Sequence, residues 1–98
     1  MDIIKIEIPK YNPEKGIEYK WENGFEIETK IDDAVIKITA NKEGLTSLAN
    51  HLLNLAQEDI PFGYHLHFDE YNALEEGSIE LIIEKKHTTN NGTVPSCT

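Results

Sequence analysis

The chain has 98 residues and a formal net charge of −9, from 18 acidic against 9 basic side chains. That length makes one domain able to bury a core without metal or disulfide staples. The lone cysteine, Cys97, cannot form an internal bridge, and no apolar run approaches the roughly 20 residues that a membrane helix needs. The acidity works against nucleic acid and anionic membrane as partners and favours basic proteins.

Met1 leads into a strand pattern without the charged and apolar regions of a secretion signal. With the single cysteine this fits a reducing compartment, and a cytoplasmic location is expected. Asp2 to Ile8 alternates, with Ile4, Ile6 and Ile8 on one face and Lys5 and Glu7 on the other, so a half-buried strand is expected. Pro9 to Gly16 reads as a loop. Ile17 to Glu22 (Ile17, Tyr19 and Trp21 inward) and Phe25 to Ile31 (Phe25, Ile27, Thr29 and Ile31 inward) read as two further strands. Parity favours a three-residue connection, Glu22-Asn23-Gly24, with Gly24 in the left-handed position.

Asp33 to Ala40 is the fourth expected strand, with Ala34, Ile36 and Ile38 inward. A two-residue turn at Asp32-Asp33 would pair Ile31 with Ala34, Thr29 with Ile36, and Glu28 with Lys37. From Asn41 to Gln57 the period changes to that of a helix. Leu45, Leu48, Ala49, Leu52, Leu55 and Ala56 form one stripe, Asn41 is the cap, and Pro61 blocks continuation. Tyr64 to Asp69 is a short strand with Tyr64, Leu66 and Phe68 on one face and His65, His67 and Asp69 on the other. Glu70 to Gly77 is an acidic loop, and Ser78 to Lys86 is the last strand. Residues 1–86 thus form a single α+β domain: a mostly antiparallel sheet of about six strands with one amphipathic helix packed on one face. Residues 87–98 have the composition of a mobile tail. The sheet face away from the helix would carry Lys5, Glu7, Glu18, Lys20, Glu26, Glu28, Lys37, Glu80 and Glu84.

Catalytic chemistry is poorly served. Cys97 has no shell around it, Ser47 and Ser78 lack a nucleophile turn, and the six glycines are scattered singly. His65, His67 and Asp69, at alternate positions of a strand, are the residue types that zinc or non-haem iron accepts. A small metal enzyme built on them is therefore one alternative, though the polar half of an amphipathic strand is enough to account for them and is the favoured reading, and no full ligand set is visible. A regulatory domain that binds another cellular protein is a second alternative. No catalytic residue, metal or cofactor is expected.

Four runs carry a resemblance. Ala40-Asn41-Lys42-Glu43-Gly44-Leu45, Leu48-Ala49-Asn50-His51-Leu52, His65-Leu66-His67-Phe68-Asp69 and Leu74-Glu75-Glu76-Gly77-Ser78-Ile79-Glu80-Leu81 together resemble immunity protein family 32 of bacterial polymorphic toxin systems. The resemblance covers about half of the chain and implies an inhibitor that binds and occludes a cognate toxin domain. A basic, nuclease-type toxin would suit the net charge. The expected contact residues are Glu70, Tyr71, Leu74, Glu75 and Glu76 in the acidic loop, Glu26 and Glu28 on the open sheet face, and His65, His67 and Asp69. The sequence leaves the toxin's identity and the oligomeric state open.

Overall fold

The computed structural model describes residues 3–87. Within them lie β1 (Ile27–Asp32), β2 (Val35–Ala40), α1 (Lys42–Leu55), β3 (His65–Phe68) and β4 (Leu81–Glu84). The class is α+β with one helix. The strands, however, form two antiparallel hairpins, β1–β2 and β3–β4, in place of one sheet of about six strands. Of the expected tail, residues 87–98, only His87 is among the described ones.

The expected strands at Asp2–Ile8 and Ile17–Glu22 are absent among the described residues, which leave out Asp2. The helix explains what replaces them. Ser47 Oγ accepts from the Glu22 N–H at 2.8 Å and donates to the Glu43 carbonyl at 2.8 Å. Asn50 Nδ2 donates to the Glu7 carbonyl (3.3 Å), and Asn54 Nδ2 to Asn50 Oδ1 (2.9 Å). Gln57 donates to the Pro9 carbonyl (3.1 Å) and accepts from the Tyr11 N–H (3.0 Å). Backbone groups that a ladder would have satisfied are thus met by side chains of the helix.

The same contacts correct the phase of α1. Of the expected stripe only Leu55 is buried, while Leu45 and Leu52 are exposed. The inward residues are Gly44, Ser47, Asn50, His51, Asn54 and Leu55. The helical period is as expected, but the ridge facing the core lies about one residue earlier and is largely polar. Asn41 does cap the helix. Its Oδ1 accepts from the Gly44 N–H (2.8 Å) and the Glu26 N–H (3.0 Å), and its Nδ2 donates to the Gly24 carbonyl (2.9 Å).

The first hairpin is shifted by two residues from the expected register. Asp33 and Ala34 form its turn, with φ of 51° and 67°, the paired left-handed geometry that a two-residue hairpin turn requires. Ile31 then faces Ile36, Thr29 faces Ile38, and Ile27 faces Ala40. Glu28 faces Thr39 and not Lys37, which instead lies opposite Lys30. Parity alone cannot separate registers two residues apart. The helix separates them: a Cβ built on Gly44 would sit 3.0 Å from Ile27 Cγ1 and 3.1 Å from the Ala40 Cβ. Only a small residue fits opposite Ile27 beneath α1, and Ala40 supplies it where Ile38 would not. Gly24, with φ of 83°, occupies the left-handed position expected of it, and the Phe25 N–H donates to the Glu22 carbonyl at 3.1 Å.

The two hairpins meet along the outer edge of β1. The Glu75 N–H donates to the Ile27 carbonyl (2.8 Å), the Ile79 N–H to the Thr29 carbonyl (3.2 Å), and the Thr29 N–H to Ser78 Oγ (3.2 Å). Thr29 Oγ1 also donates to the Ile79 carbonyl, which satisfies a buried hydroxyl. Ile17, Ile27, Leu55, Ile60, Leu66, Phe68 and Leu74 form the core beneath this junction. In β4, Leu81 and Ile83 face partly inward and Ile82 outward, as the alternation required.

Two substitutions check this packing by chemical denaturation. Gly44→Ala gains helix propensity of about 1 kcal/mol, but its methyl overlaps the Glu26 carbonyl oxygen. A net loss of roughly 1–3 kcal/mol is expected. Ala34→Gly relieves a left-handed alanine and should raise stability by about 1 kcal/mol.

Candidate partner-binding site

Strand β3 sorts its side chains as the alternation predicts: Leu66 and Phe68 are buried, His65 and His67 are exposed. Asp69 lies beyond the end of β3 and does not share its outward face as part of the strand. It builds the following loop instead. Its Oδ1 accepts from the Tyr71 N–H (2.9 Å) and the Asn72 N–H (3.1 Å), and its N–H donates to Asn72 Oδ1 (2.8 Å). Asn72 Nδ2 returns to the His67 carbonyl (2.9 Å), and the Ala73 and Leu74 N–H groups both reach the Asp69 carbonyl. An aspartate followed by such N–H groups is the side-chain mimic of a backbone turn. Glu70 closes the far end by accepting from the Gly77 N–H at 3.0 Å.

This construction divides the expected contact residues. Leu74 is buried in the core, so it anchors the loop to its own protein and is unavailable to a partner. Tyr71 does the opposite and is 91% exposed. Glu70, Tyr71 and Glu76 line one shallow hollow. Glu26, Glu28 and Glu75 line another, together with residues of β2. The Glu75–Ile27 backbone bond explains that second grouping, because it ties the acidic loop to the start of β1. Loop and sheet face, expected as separate candidate surfaces, therefore adjoin through Glu75. Among the described residues no continuous open sheet face exists, since Lys5, Glu7, Glu18 and Lys20 lie on segments without strand pairing.

The histidines fall into different settings. His67 Nε2 lies 3.2 Å from Glu80 Oε2 and 3.8 Å from Asp69 Oδ2, whereas His65 stands opposite Glu84 with its Nδ1 3.4 Å from the Gly63 carbonyl. Among the described residues no group of three His, Cys, Asp or Glu side chains is gathered closely enough to hold a metal ion. His51, on α1, is enclosed by aromatic rings, with centroids at 4.4 Å for Trp21, 5.0 Å for Tyr19 and 6.1 Å for Phe68. Trp21 stacks in turn on Phe25 at 4.5 Å, and both pack against the core as expected, whereas Tyr19, expected inward, is 45% exposed. Neither His51 ring nitrogen has a hydrogen-bond partner among the described residues. Burial lowers its pKa from 6.5 to about 4 by penalising the imidazolium.

A family model described as Immunity protein 32 matches residues 35–86. The chain belongs to the immunity protein 32 family. The matched span contains β2, α1, β3, the acidic loop and β4, and it encloses the four runs between Ala40 and Leu81 that carry the resemblance. Within the family match lie Tyr71 and its flanking carboxylates, while Glu26 and Glu28 precede it. No curated protein and no solved structure matches the chain in the other two comparisons. Among the described residues no helix is long and apolar enough to cross a membrane.

Asn72, which holds the loop together with Asp69, is not among the expected site residues. An Asp followed three residues later by Asn, just past a strand, is the signal that could have found them.

His51 makes the fold sensitive to acid. Between about 4 and 6.5 the unfolded chain binds this proton and the folded chain does not, so stability rises with pH across that window. The contribution is complete above pH 6.5 and is lost as pH falls through about 4, a total of roughly 3 kcal/mol. Denaturation at a series of pH values should show this slope in the parent chain and a shallower one in His51→Phe or His51→Leu. Equal slopes would contradict it.

Proposed function

We propose that this chain is an antitoxin that binds a cognate toxin domain and occludes it. The observation that carries the reading is the family match over residues 35–86. An immunity protein acts by association and needs no catalytic residue of its own. Three features support a basic, nuclease-type toxin. The net charge of −9 steers a positive partner toward the protein. The Glu70, Tyr71 and Glu76 hollow sets an exposed aromatic ring between carboxylates, an arrangement suited to a buried anchor with charged surroundings. The adjoining Glu26, Glu28 and Glu75 hollow extends the acidic surface, so one basic partner can span both.

The loop's internal hydrogen bonds also favour tight binding. A segment already held in one shape loses little conformational freedom when a partner docks on it. His65, His67 and Asp69 belong to this proposal less directly: His67 extends the surface toward Glu80, and Asp69 holds the loop that presents Tyr71. The cytoplasm is the compartment in which such an inhibitor would protect its own cell. The metal-enzyme alternative gains no support from the spacing of His65, His67 and Asp69.

Co-expression with the product of the neighbouring gene tests the reading: that product should be toxic alone and harmless with this chain. A product harmless alone, or still toxic in its presence, would sink it. For the surface, Tyr71→Ala should weaken toxin binding by about 2 kcal/mol with the fold intact. Charge reversal at Glu75 and Glu76 should mainly slow association and flatten its dependence on salt. If reversals at Glu26 and Glu28 abolish binding while the loop variants bind normally, the anchor is the sheet hollow and not Tyr71.

A further inference from the structure

Among the described residues nothing pairs with the outer edge of β2. Antiparallel pairing alternates between residues that exchange hydrogen bonds with their neighbour and residues that point their N–H and C=O away. The Asn41 N–H bonds to the Glu26 carbonyl, continuing the register of the hairpin. Odd-numbered positions of β2 therefore turn toward β1, and Ile36, Ile38 and Ala40 turn their backbone groups outward. None of the other backbone hydrogen bonds among the described residues involves these three. The matching edge of β1 is covered by residues 75–79, so the openness is one-sided. Proteins guard such edges with proline, bulges or several charges, whereas β2 carries only Lys37.

Its side chains are equally unpartnered. Ile31, Ile36 and Ile38 share the face that leads into the core, yet they are 63%, 68% and 44% exposed. α1 covers only the Ile27 and Ala40 end of the hairpin, and the tip overhangs. On the other face Lys30 lies opposite Lys37. Lys30 Nζ is 3.1 Å from Glu28 Oε1, and Lys37 has no carboxylate partner among the described residues.

We propose that β2 pairs antiparallel with β2 of a second copy of this chain, Ile38 opposite Ile38, joining the two hairpins into one four-stranded sheet. The charges select this occupant and this register. A basic strand from another protein would meet the Lys30 and Lys37 pair with the same sign. Between two copies, a register centred on Lys37 would set two ammonium groups face to face, which is unfavourable. A register centred on Ile36 would run into the turn at Ala34. Centred on Ile38, the pairing uses residues 36–40 of both copies and places Lys37 opposite Thr39. Across that sheet Lys30 and Lys37 of one copy then continue into Thr39 and Glu28 of the other, and the two-fold axis repeats the row. The unneutralised lysine gains a carboxylate, and every outward backbone group of the edge gains a partner. The inference is independent of the toxin reading.

Sedimentation equilibrium of the full chain decides it. A dimer is expected at about 10–100 µM, tighter at about 0.5 M salt than at low salt, because salt screens the repulsion between two acidic bodies. Ile38→Lys should weaken it at least about tenfold. Glu28→Lys should weaken it too, and adding Lys37→Glu should restore it; circular dichroism confirms that each variant folds. In a Cys97→Ser background, Ile38→Cys should form a disulfide-linked dimer readily, since paired Cα atoms about 5.5 Å apart suit the bond. A chain that stays monomeric at about 100 µM in high salt overturns the proposal, as does cross-linking no faster at Ile38→Cys than at Val35→Cys. A monomer whose toxin binding is lost on Ile38→Lys also overturns it, and assigns the edge to a strand of the toxin.

Discussion

The structure depends on a ridge of polar side chains along one side of α1. Ser47, Asn50 and Gln57 reach the backbone at Glu22, Glu7, Pro9 and Tyr11, and Asn54 bridges Asn50 to Gln57. A buried backbone amide or carbonyl without a partner costs as much as a lost hydrogen bond. Among the described residues no strand runs beside positions 3–22, and the helix stands in for the missing neighbour. An interior ridge of this kind needs an apolar counterpart, which Leu55, Leu66, Phe68 and Ile27 supply around it.

This is also why the sequence could be read only in part. The period of α1, its Asn41 cap, the outward set of β3 and the left-handed Gly24 all follow from local rules, and all are present. The phase of the helix does not follow from local rules. Leucine spacing pointed one way, while the need to satisfy distant carbonyls turned another ridge inward, and no pattern within 41–57 announces those carbonyls. Hairpin register failed for a related reason. Alternation fixed the face, but the choice between two even-spaced registers was made by Gly44 against Ala40, a tertiary contact. Alternation in residues 4–8 and 17–22 was genuine as a pattern and still produced no strand, because amphipathicity allows a ladder without providing a partner for it.

The acidic loop, proposed above as a binding surface, was legible in outline. The acidic loop and its exposed tyrosine are where composition placed them, and Leu74 is the instructive exception. An apolar residue in an acidic loop can face a partner or its own core, and the sequence offers no means of choosing. Here Leu74 is drawn inward as the Leu74 N–H returns to Asp69 and the Glu75 N–H reaches Ile27. The same bond brings Glu75 beside Glu26 and Glu28, a proximity between residues about fifty positions apart that no local reading contains.

The loop from Asp69 to Gly77 separates the residues that hold its shape from those that meet the outside. Asp69, Glu70, Asn72 and Gly77 close its internal hydrogen bonds, and Leu74 fastens it below. Tyr71 and Glu76 contribute no side-chain hydrogen bond to it, and Glu75 contributes only its backbone. Those three positions are accordingly free to change without cost to the fold. A scaffold so divided can exchange its outer residues one at a time, which is what the proposed inhibitor of a single toxin would need as that toxin diversifies.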